Sequence, residues 1–382
     1  MPKPGPMLSL AKAIRSFIFT SLAISIPFYL AFLGFSALYT SIVVLVSLGI
    51  STLYLYLFTA AKMRIKHKLL LMSGLFSLSL IILYLGNNIY FLLIAMVIGA
   101  LSFAGRDLTT NQSLEQYTIS ISIEDQHRKT MMFSVYNFAS YASGALASAL
   151  LFFDKGLSFE TIFLIDFILS VLQVAIYLWQ KFPELKPKAQ KQAISDPEVK
   201  RDVKALAALF SVDSLGGGLV NTAIITLWFK VVYHISLSGA GLIFIIVNIV
   251  TAISVILSGR LSKNLGLVRT MVYTHLFSNV MLFLVPVFHS LVISELFLYL
   301  RQTTSQMDVP PRDSLINTKI PKDARVASNS ILLGVRNGMQ IPGPGLAGLL
   351  FEVFPEGVFF SAALIKIAYD VAFFARYRTY RV

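Results

Sequence analysis

Residues 181–204 read KFPELKPKAQKQAISDPEVKRDVK, the longest polar stretch in a chain of 382 residues. Apolar runs flank it on both sides. Before it they cover roughly 14–33, 38–60, 69–86, 90–118, 130–153 and 157–180. After it they cover roughly 203–231, 239–260, 267–287, 290–318, 326–351 and 357–375. A helix crosses the hydrocarbon core of a bilayer with about 20 apolar residues, so each run is a candidate span. A Lys- and Pro-rich segment between six spans and six spans reads as a linker. The expected organisation is an N-terminal bundle over 1–180, a linker over 181–202 and a C-terminal bundle over 203–382. The fold class is all-α integral membrane, with twelve transmembrane helices.

Composition points the same way. Hydrophobic residues make up 56%, charged residues 13%, and the mean hydropathy is +0.74. Soluble domains carry about 45–50% apolar and about 25% charged residues. A soluble globular enzyme and a disordered chain are both excluded. With no cysteine, disulfides, thiolate metal sites and Fe–S clusters are excluded as well. No phosphate-binding Gly/Lys loop and no acid/base or nucleophile spacing is present, so neither ATP drive nor an enzyme is expected. No cofactor and no metal are expected. The first run lacks a small-residue cleavage site and is expected to be retained.

The net charge of +13 reports topology. Of the 32 Lys and Arg, 25 fall on one side of the expected spans, among them Lys3, Lys12, Arg15, the loop after span 2, the linker and the C-terminus. The other side has Lys155 and Lys230, beside Asp154, Glu352 and Glu356. The positive-inside rule then places both termini and the linker in the cytoplasm of a multi-pass cell-membrane protein. Basic loops facing anionic lipid heads explain the charge, and no nucleic-acid partner is expected.

The two halves repeat. Arg106-Asp-Leu-Thr-Thr-Asn in span 4 aligns with Arg301-Gln-Thr-Thr-Ser-Gln in span 10. Ile123-Glu-Asp-Gln-His-Arg128 aligns with Ile320-Pro-Lys-Asp-Ala-Arg325, and both enter small-residue helices at Gly144 and Gly345. Duplicated six-span halves are a recurrent architecture of secondary transporters.

On these features the chain resembles the major facilitator superfamily over its whole length. The segment Gly259-Arg-Leu-Ser-Lys-Asn-Leu-Gly-Leu-Val-Arg269 is similar to the family's loop G-x-L-[aD]-[rk]-x-G-[rk]-[rk] at Gly259, Leu261, Lys263, Gly266 and Arg269, without its acid. The matching first-half segment, 60–68, keeps only basic charge. The antiporter-type Gly/Pro pattern is not met in span 5; a similar string, Gly338 to Gly348, lies in span 11. The resemblance implies alternating-access transport of a small solute, often proton-coupled, with spans 4 and 10 lining the cavity. The expected partners are that solute, a coupling proton and the bilayer, and the protein is expected to be a monomer.

Charges within spans are costly and need a reason. Five cations (Arg106, Arg301, Arg312, Arg336, Lys366) and seven acids (Asp107, Glu115, Asp166, Asp213, Glu295, Asp308, Asp370) qualify. Helical spacing puts Arg106 with Thr109, Thr110 and Ser113, and Arg301 with Thr304, Ser305 and Asp308. Two guanidiniums among hydroxyls would suit a carboxylate or phosphate; they could equally pair with buried acids and hold the halves together. Asn111, Gln306, Arg336 and Asn337 complete the candidate substrate contacts. Asp107, Glu115 and Asp213 are candidate proton carriers, because desolvation favours a neutral carboxyl. Each could instead sit in a permanent ion pair or a packing hydrogen bond, and Glu115 could be exposed near the cytoplasmic end.

Gly216, Gly217 and Gly218 after Asp213 would permit close approach and bending, and Pro310 and Pro311 would interrupt span 10. With Gly259, Gly266 and Arg269 these are the hinge or gating candidates. Arg312 is expected to reach cytoplasmic water. Lys366 and Asp370, at i and i+4, are expected to neutralise each other. His275 reads as a hydrogen-bonded core residue, and the stripe Ser140, Gly144, Ser148 as helix packing. The favoured cargo is a small organic anion or zwitterion. The alternatives are efflux of amphipathic drugs, an intramembrane lipid-modifying enzyme, and a non-transporting membrane subunit.

Overall fold

The structure, a computed structural model, describes residues 4–105, 110–153, 156–182, 196–321 and 324–379. Among them lie sixteen helical segments. The first eight are α1 (Pro4–Phe32), α2 (Ala37–Ala60), α3 (Ile65–Leu85), α4 (Ile89–Gly99), α5 (Thr110–Ser122), α6 (Gln126–Phe153), α7 (Phe159–Trp179) and α8 (Pro197–Leu219). The rest are α9 (Thr222–Tyr233), α10 (Leu237–Leu265), α11 (Leu267–Leu284), α12 (Leu291–Gln302), α13 (Val309–Lys319), α14 (Arg325–Gln340), α15 (Pro342–Val353) and α16 (Gly357–Tyr377). They make the twelve expected spans, four of which are broken: α4/α5, α8/α9, α12/α13 and α14/α15. Seven helices among the described residues are long and apolar enough to cross a membrane alone, and α8 with α9 qualifies as a pair bent by 40°.

Local chemistry sets the ends. Ser36, Asn88, Ser158, Asp196 and Asn221 cap α2, α4, α7, α8 and α9, each side chain accepting a first-turn backbone N–H. The cap at Asn221 places the break of span 7 there, since it opens α9 two residues after α8 ends. The glycines expected to bend this span are helical. A Cβ on Gly218 would lie 2.3 Å from the Gln340 carbonyl oxygen, and one on Gly343 would lie 2.3 Å from the Gly218 carbonyl carbon. Gly216 meets Lys366 and the Ala362 carbonyl, whereas Gly217 faces open space. Gly216 and Gly218 thus serve close packing.

The prolines of span 10 also differ from expectation. The helix has already stopped at Gln302, and residues 303–308 form turns. Pro310 and Pro311 lie in the first turn of α13, where a missing N–H goes unfelt. Val309 is helical, contrary to expectation. The freed Met307 carbonyl accepts the Ser258 hydroxyl at 2.6 Å. Gly259 lies within α10, and that helix runs on to Leu265, so the loop after span 8 shrinks to Gly266, whose φ of +80° makes the turn. Arg269 is exposed on the first turn of α11.

Two compact units form. Unit 1 is Met1–Lys188 with Asn221–Asn248; unit 2 is Ala189–Val220 with Ile249–Val382. Residues 221–248, placed by sequence in the C-terminal half, therefore pack in unit 1. There Thr222 donates its backbone N–H to the Ala104 carbonyl, and the Ser238 hydroxyl donates to the Phe152 carbonyl at 2.8 Å. The small-residue stripe of α6 packs on α1: the Ser16 and Ser140 hydroxyls lie 2.7 Å apart, and Ser143 donates to the Ala13 carbonyl.

Candidate functional site

Each unit buries one ionic network. In unit 1, Arg15 of α1 is 1% exposed and grips Glu115 of α5, with Nη1 3.1 Å from Oε1 and Nη2 2.6 Å from Oε2. The Tyr136 hydroxyl donates to Oε2 at 2.5 Å, and the Tyr177 hydroxyl donates to Oε1. Tyr177 in turn accepts from Arg15 and from Gln173. Glu115 is buried, not exposed, and its ion pair is to Arg15. Its cation, Arg15, lies inside the bundle with Lys12, although both read by sequence as charges at the membrane edge. Asn111 is buried nearby on α5 and donates to Ser73 at 3.0 Å. Arg106 and Asp107 lie outside the described residues.

In unit 2 the network joins three helices. Asp213 of α8 accepts from Lys366 of α16. His275 of α11 sets Nε2 3.4 Å from Asp213 and Nδ1 2.6 Å from Asp370 of α16. Asn279, one turn along α11, donates to the other oxygen of Asp370 at 2.8 Å. Lys366 and Asp370 therefore find partners across helices, not along their own. The reason is geometric: α8 and α11 pack on the face of α16 that carries both, and offer closer groups.

Beside this lies a pair of guanidiniums. Arg312 of α13 is buried and bonded to Asp308 at 2.8 Å, so it does not reach water. Arg312 and Arg336 of α14 each place their guanidinium carbon 6.0 Å from the centre of the Phe210 ring on α8. Arg312 has Asp308 and, 3.9 Å from its Nε, the exposed Asp313. Among the described residues no carboxylate lies within ion-pair distance of Arg336, and its Nε is buried with no hydrogen-bond partner. Asn337, next to it on α14, is buried too.

Arg301, at the end of α12, belongs to a different polar group. Its Nη1 donates to the Gln302 side chain at 2.8 Å; Gln302 accepts from Ser305 and donates to Thr251. Thr304 and Gln306 sit in the break that follows, and the Thr304 hydroxyl is buried without a partner among the described residues. Sequence reasoning missed His275 as a member of the ionic network. Its signal was there: Asn279 follows at i+4 on the same face.

Comparison with known proteins agrees with this architecture. Residues 125–344 match the family model of the Major Facilitator Superfamily. A peptide-bound POT family transporter superposes with a TM-score of 0.80 at 13% identity, covering 99% of this chain and 97% of that one. The human organic anion transporter MFSD10 gives 0.74 at 14%, covering 98% and 100%. The D323A mutant of the nucleoside transporter NupG gives 0.75 at 14%, covering 97% and 99%. A yeast (Saccharomyces cerevisiae) relative, the uncharacterized membrane protein YJR124C, is 28% identical over 166 residues, which are 43% of this chain and 37% of that protein's length. The chain belongs to the Major Facilitator Superfamily. It is a multi-pass membrane protein with the fold of the transporters named above.

Proposed function

We propose that the protein carries a small organic anion or zwitterion by alternating access, coupled to a proton. The observation that carries this reading is Arg336. A cation within a span costs about 2.5–3.5 kcal/mol on insertion scales. Evolved bundles offset that with a countercharge, as Asp308 does for Arg312. Arg336 shares with Arg312 the Phe210 face and an unsatisfied Nε, but among the described residues it has no carboxylate within ion-pair distance. A carboxylate on the cargo would supply the missing charge and accept the free N–H. Asn337 would position it, and Arg301, Thr304 and Gln306 stay as secondary contacts. The likeness to an organic anion transporter supports the same class.

Asp213 is the proposed entry for the proton, whereas Glu115 holds unit 1 together. The basic loops support cytoplasmic termini in the cell membrane even without the buried Lys12, Arg15 and Lys68. A monomer suffices, because one chain supplies every residue of the proposed site.

The test is a melting-temperature screen of the purified protein against small carboxylates, amino acids and lipophilic cations. A bound cargo stabilises by mass action, about 2.7 kcal/mol at a hundredfold excess over Kd. Carboxylates or amino acids are expected to raise the melting temperature of the wild type and not of Arg336→Leu. A rise with lipophilic cations alone, equal in both proteins, would overturn the anion reading in favour of drug efflux.

A further inference from the structure

His275 joins two carboxylates through its two ring nitrogens. Nδ1 lies 2.6 Å from Asp370 Oδ1, and Nε2 lies 3.4 Å from Asp213 Oδ1. Side-chain exposure falls along that line, from 12% at Asp213 to 6% at His275 and 1% at Asp370. Among the charged and titratable groups around the imidazole, α8 supplies Asp213 and α16 supplies Lys366, Tyr369 and Asp370. From α13, Arg312 acts electrostatically on Asp213. Glu295 and Arg301 of α12 are engaged with Tyr299 and Gln302.

We propose that the His275–Asp370 pair is the proton-binding site, filled through Asp213. In the unloaded state Nδ1–H donates to an ionised Asp370, and the lone pair of Nε2 faces Asp213. The 3.4 Å gap on that side leaves Nε2 open to accept. A proton arriving from the Asp213 end binds Nε2, and the proton on Nδ1 crosses to Asp370 Oδ1. The loaded pair is a neutral imidazole with Nε2–H and a neutral carboxylic acid: one proton gained and one charge added. Asn279 holds the second oxygen of Asp370, so the acid cannot rotate away from the ring. Lys366, bonded to Asp213, fixes the position of the entrance carboxylate.

The charge count links this pair to the cargo, and in that respect the inference rests on the function proposed above. Among the buried groups, with the pair unloaded, Asp213, Asp308 and Asp370 balance Lys366, Arg312 and Arg336, while Asp313, 3.9 Å from Arg312, is exposed. One proton makes the network positive by one, which a monoanion at Arg336 cancels. Proton and anion would then enter a neutral network together.

The experiment needs no cargo, so it is independent of the screen for one. Infrared difference spectra are recorded on the protein in lipid vesicles as the pH is lowered from about 8 to about 5. The wild type is expected to gain a protonated-carboxyl band that Asp370→Asn lacks, and His275→Gln is expected to move its midpoint by a pH unit or more. A spectrum unchanged in Asp370→Asn would overturn the proposal. If that variant does not fold, histidine labelled with nitrogen-15 in the otherwise unaltered protein answers instead. One imidazole, the signal absent from His275→Gln, is expected to move its proton between the two nitrogens over this range; an imidazole that does not change overturns the proposal. A positive titration with a failed cargo screen would sink only the function reading, and the reverse would sink only this one.

Discussion

The two units bury charge to a similar depth and use it differently. The Glu115 cluster of unit 1 has, among the described residues, one guanidinium and one carboxylate, and the four bonds reaching Glu115 come from Arg15, Tyr136 and Tyr177. Nothing in that cluster asks for a further partner. Unit 2 spreads three acids, three cations and an imidazole over five helices, and leaves Arg336 with a bare Nε among the described residues. A closed network resists change, and removing a member is ruinous. An open network with a titratable centre can gain and lose ligands, which is what transport requires. Burial alone therefore does not separate structural charges from working ones; completeness does.

The strongest way to break this comparison is to open the closed cluster. Glu115→Ala strands Arg15 inside the bundle and is expected to cost about 3–5 kcal/mol, read as loss of folded protein or a steep fall in melting temperature. Replacing both Arg15 and Glu115 by apolar residues of similar volume should recover most of it. A Glu115→Ala protein as stable as wild type would show that unit 1 is not closed.

Next in size is Arg336→Leu. Stability is expected to hold, because among the described residues no carboxylate lies within ion-pair distance of Arg336. Apparent affinity for the carboxylates or amino acids that stabilise the wild type should fall by about 10- to 100-fold, the equivalent of losing a charged hydrogen bond worth about 1.5–3 kcal/mol. Vesicle uptake reads the affinity, and thermal melting reads the stability. A fall in both together would move Arg336 to the structural side.

The glycines sharpen the contrast within α8. Gly218→Ala must push a methyl to 2.3 Å from the Gln340 carbonyl oxygen, and the overpacking is expected to cost about 1–3 kcal/mol. Gly217→Ala meets open space and should be neutral or slightly stabilising by helix propensity. Equal effects in thermal melts would discount the close packing of α8 on α14 and α15. Smallest is Ser258→Ala, which leaves the Met307 carbonyl of the span 10 break without its donor. About 0.5–1.5 kcal/mol is expected, again by melting.

Much of this was legible in the sequence. Apolar run lengths placed all twelve spans, because the bilayer fixes the length of a helix. The breaks were harder. Pro310 and Pro311 signalled a discontinuity, but prolines also start helices, and the turn lies upstream of them. In span 4, α4 ends at Ala100 in a left-handed conformation, with nothing in the apolar run to mark it. Partner choice was the least legible. Lys366 and Asp370 share a helical face, and spacing shows that they can meet, but not that α8 and α11 present better partners. Arg15 sits near the start of its run, where a charge looks like an interface residue until α5 brings Glu115 against it. Arg336 was picked out by its place in mid-span; only the packed structure separates it from Arg312.

The most direct measurement of the central claim places the purified protein in vesicles holding a pH dye, with an alkaline interior, and adds the stabilising carboxylates outside. The account predicts interior acidification that saturates with carboxylate and disappears in Arg336→Leu. Carboxylate uptake without acidification, or acidification indifferent to Arg336, would contradict it.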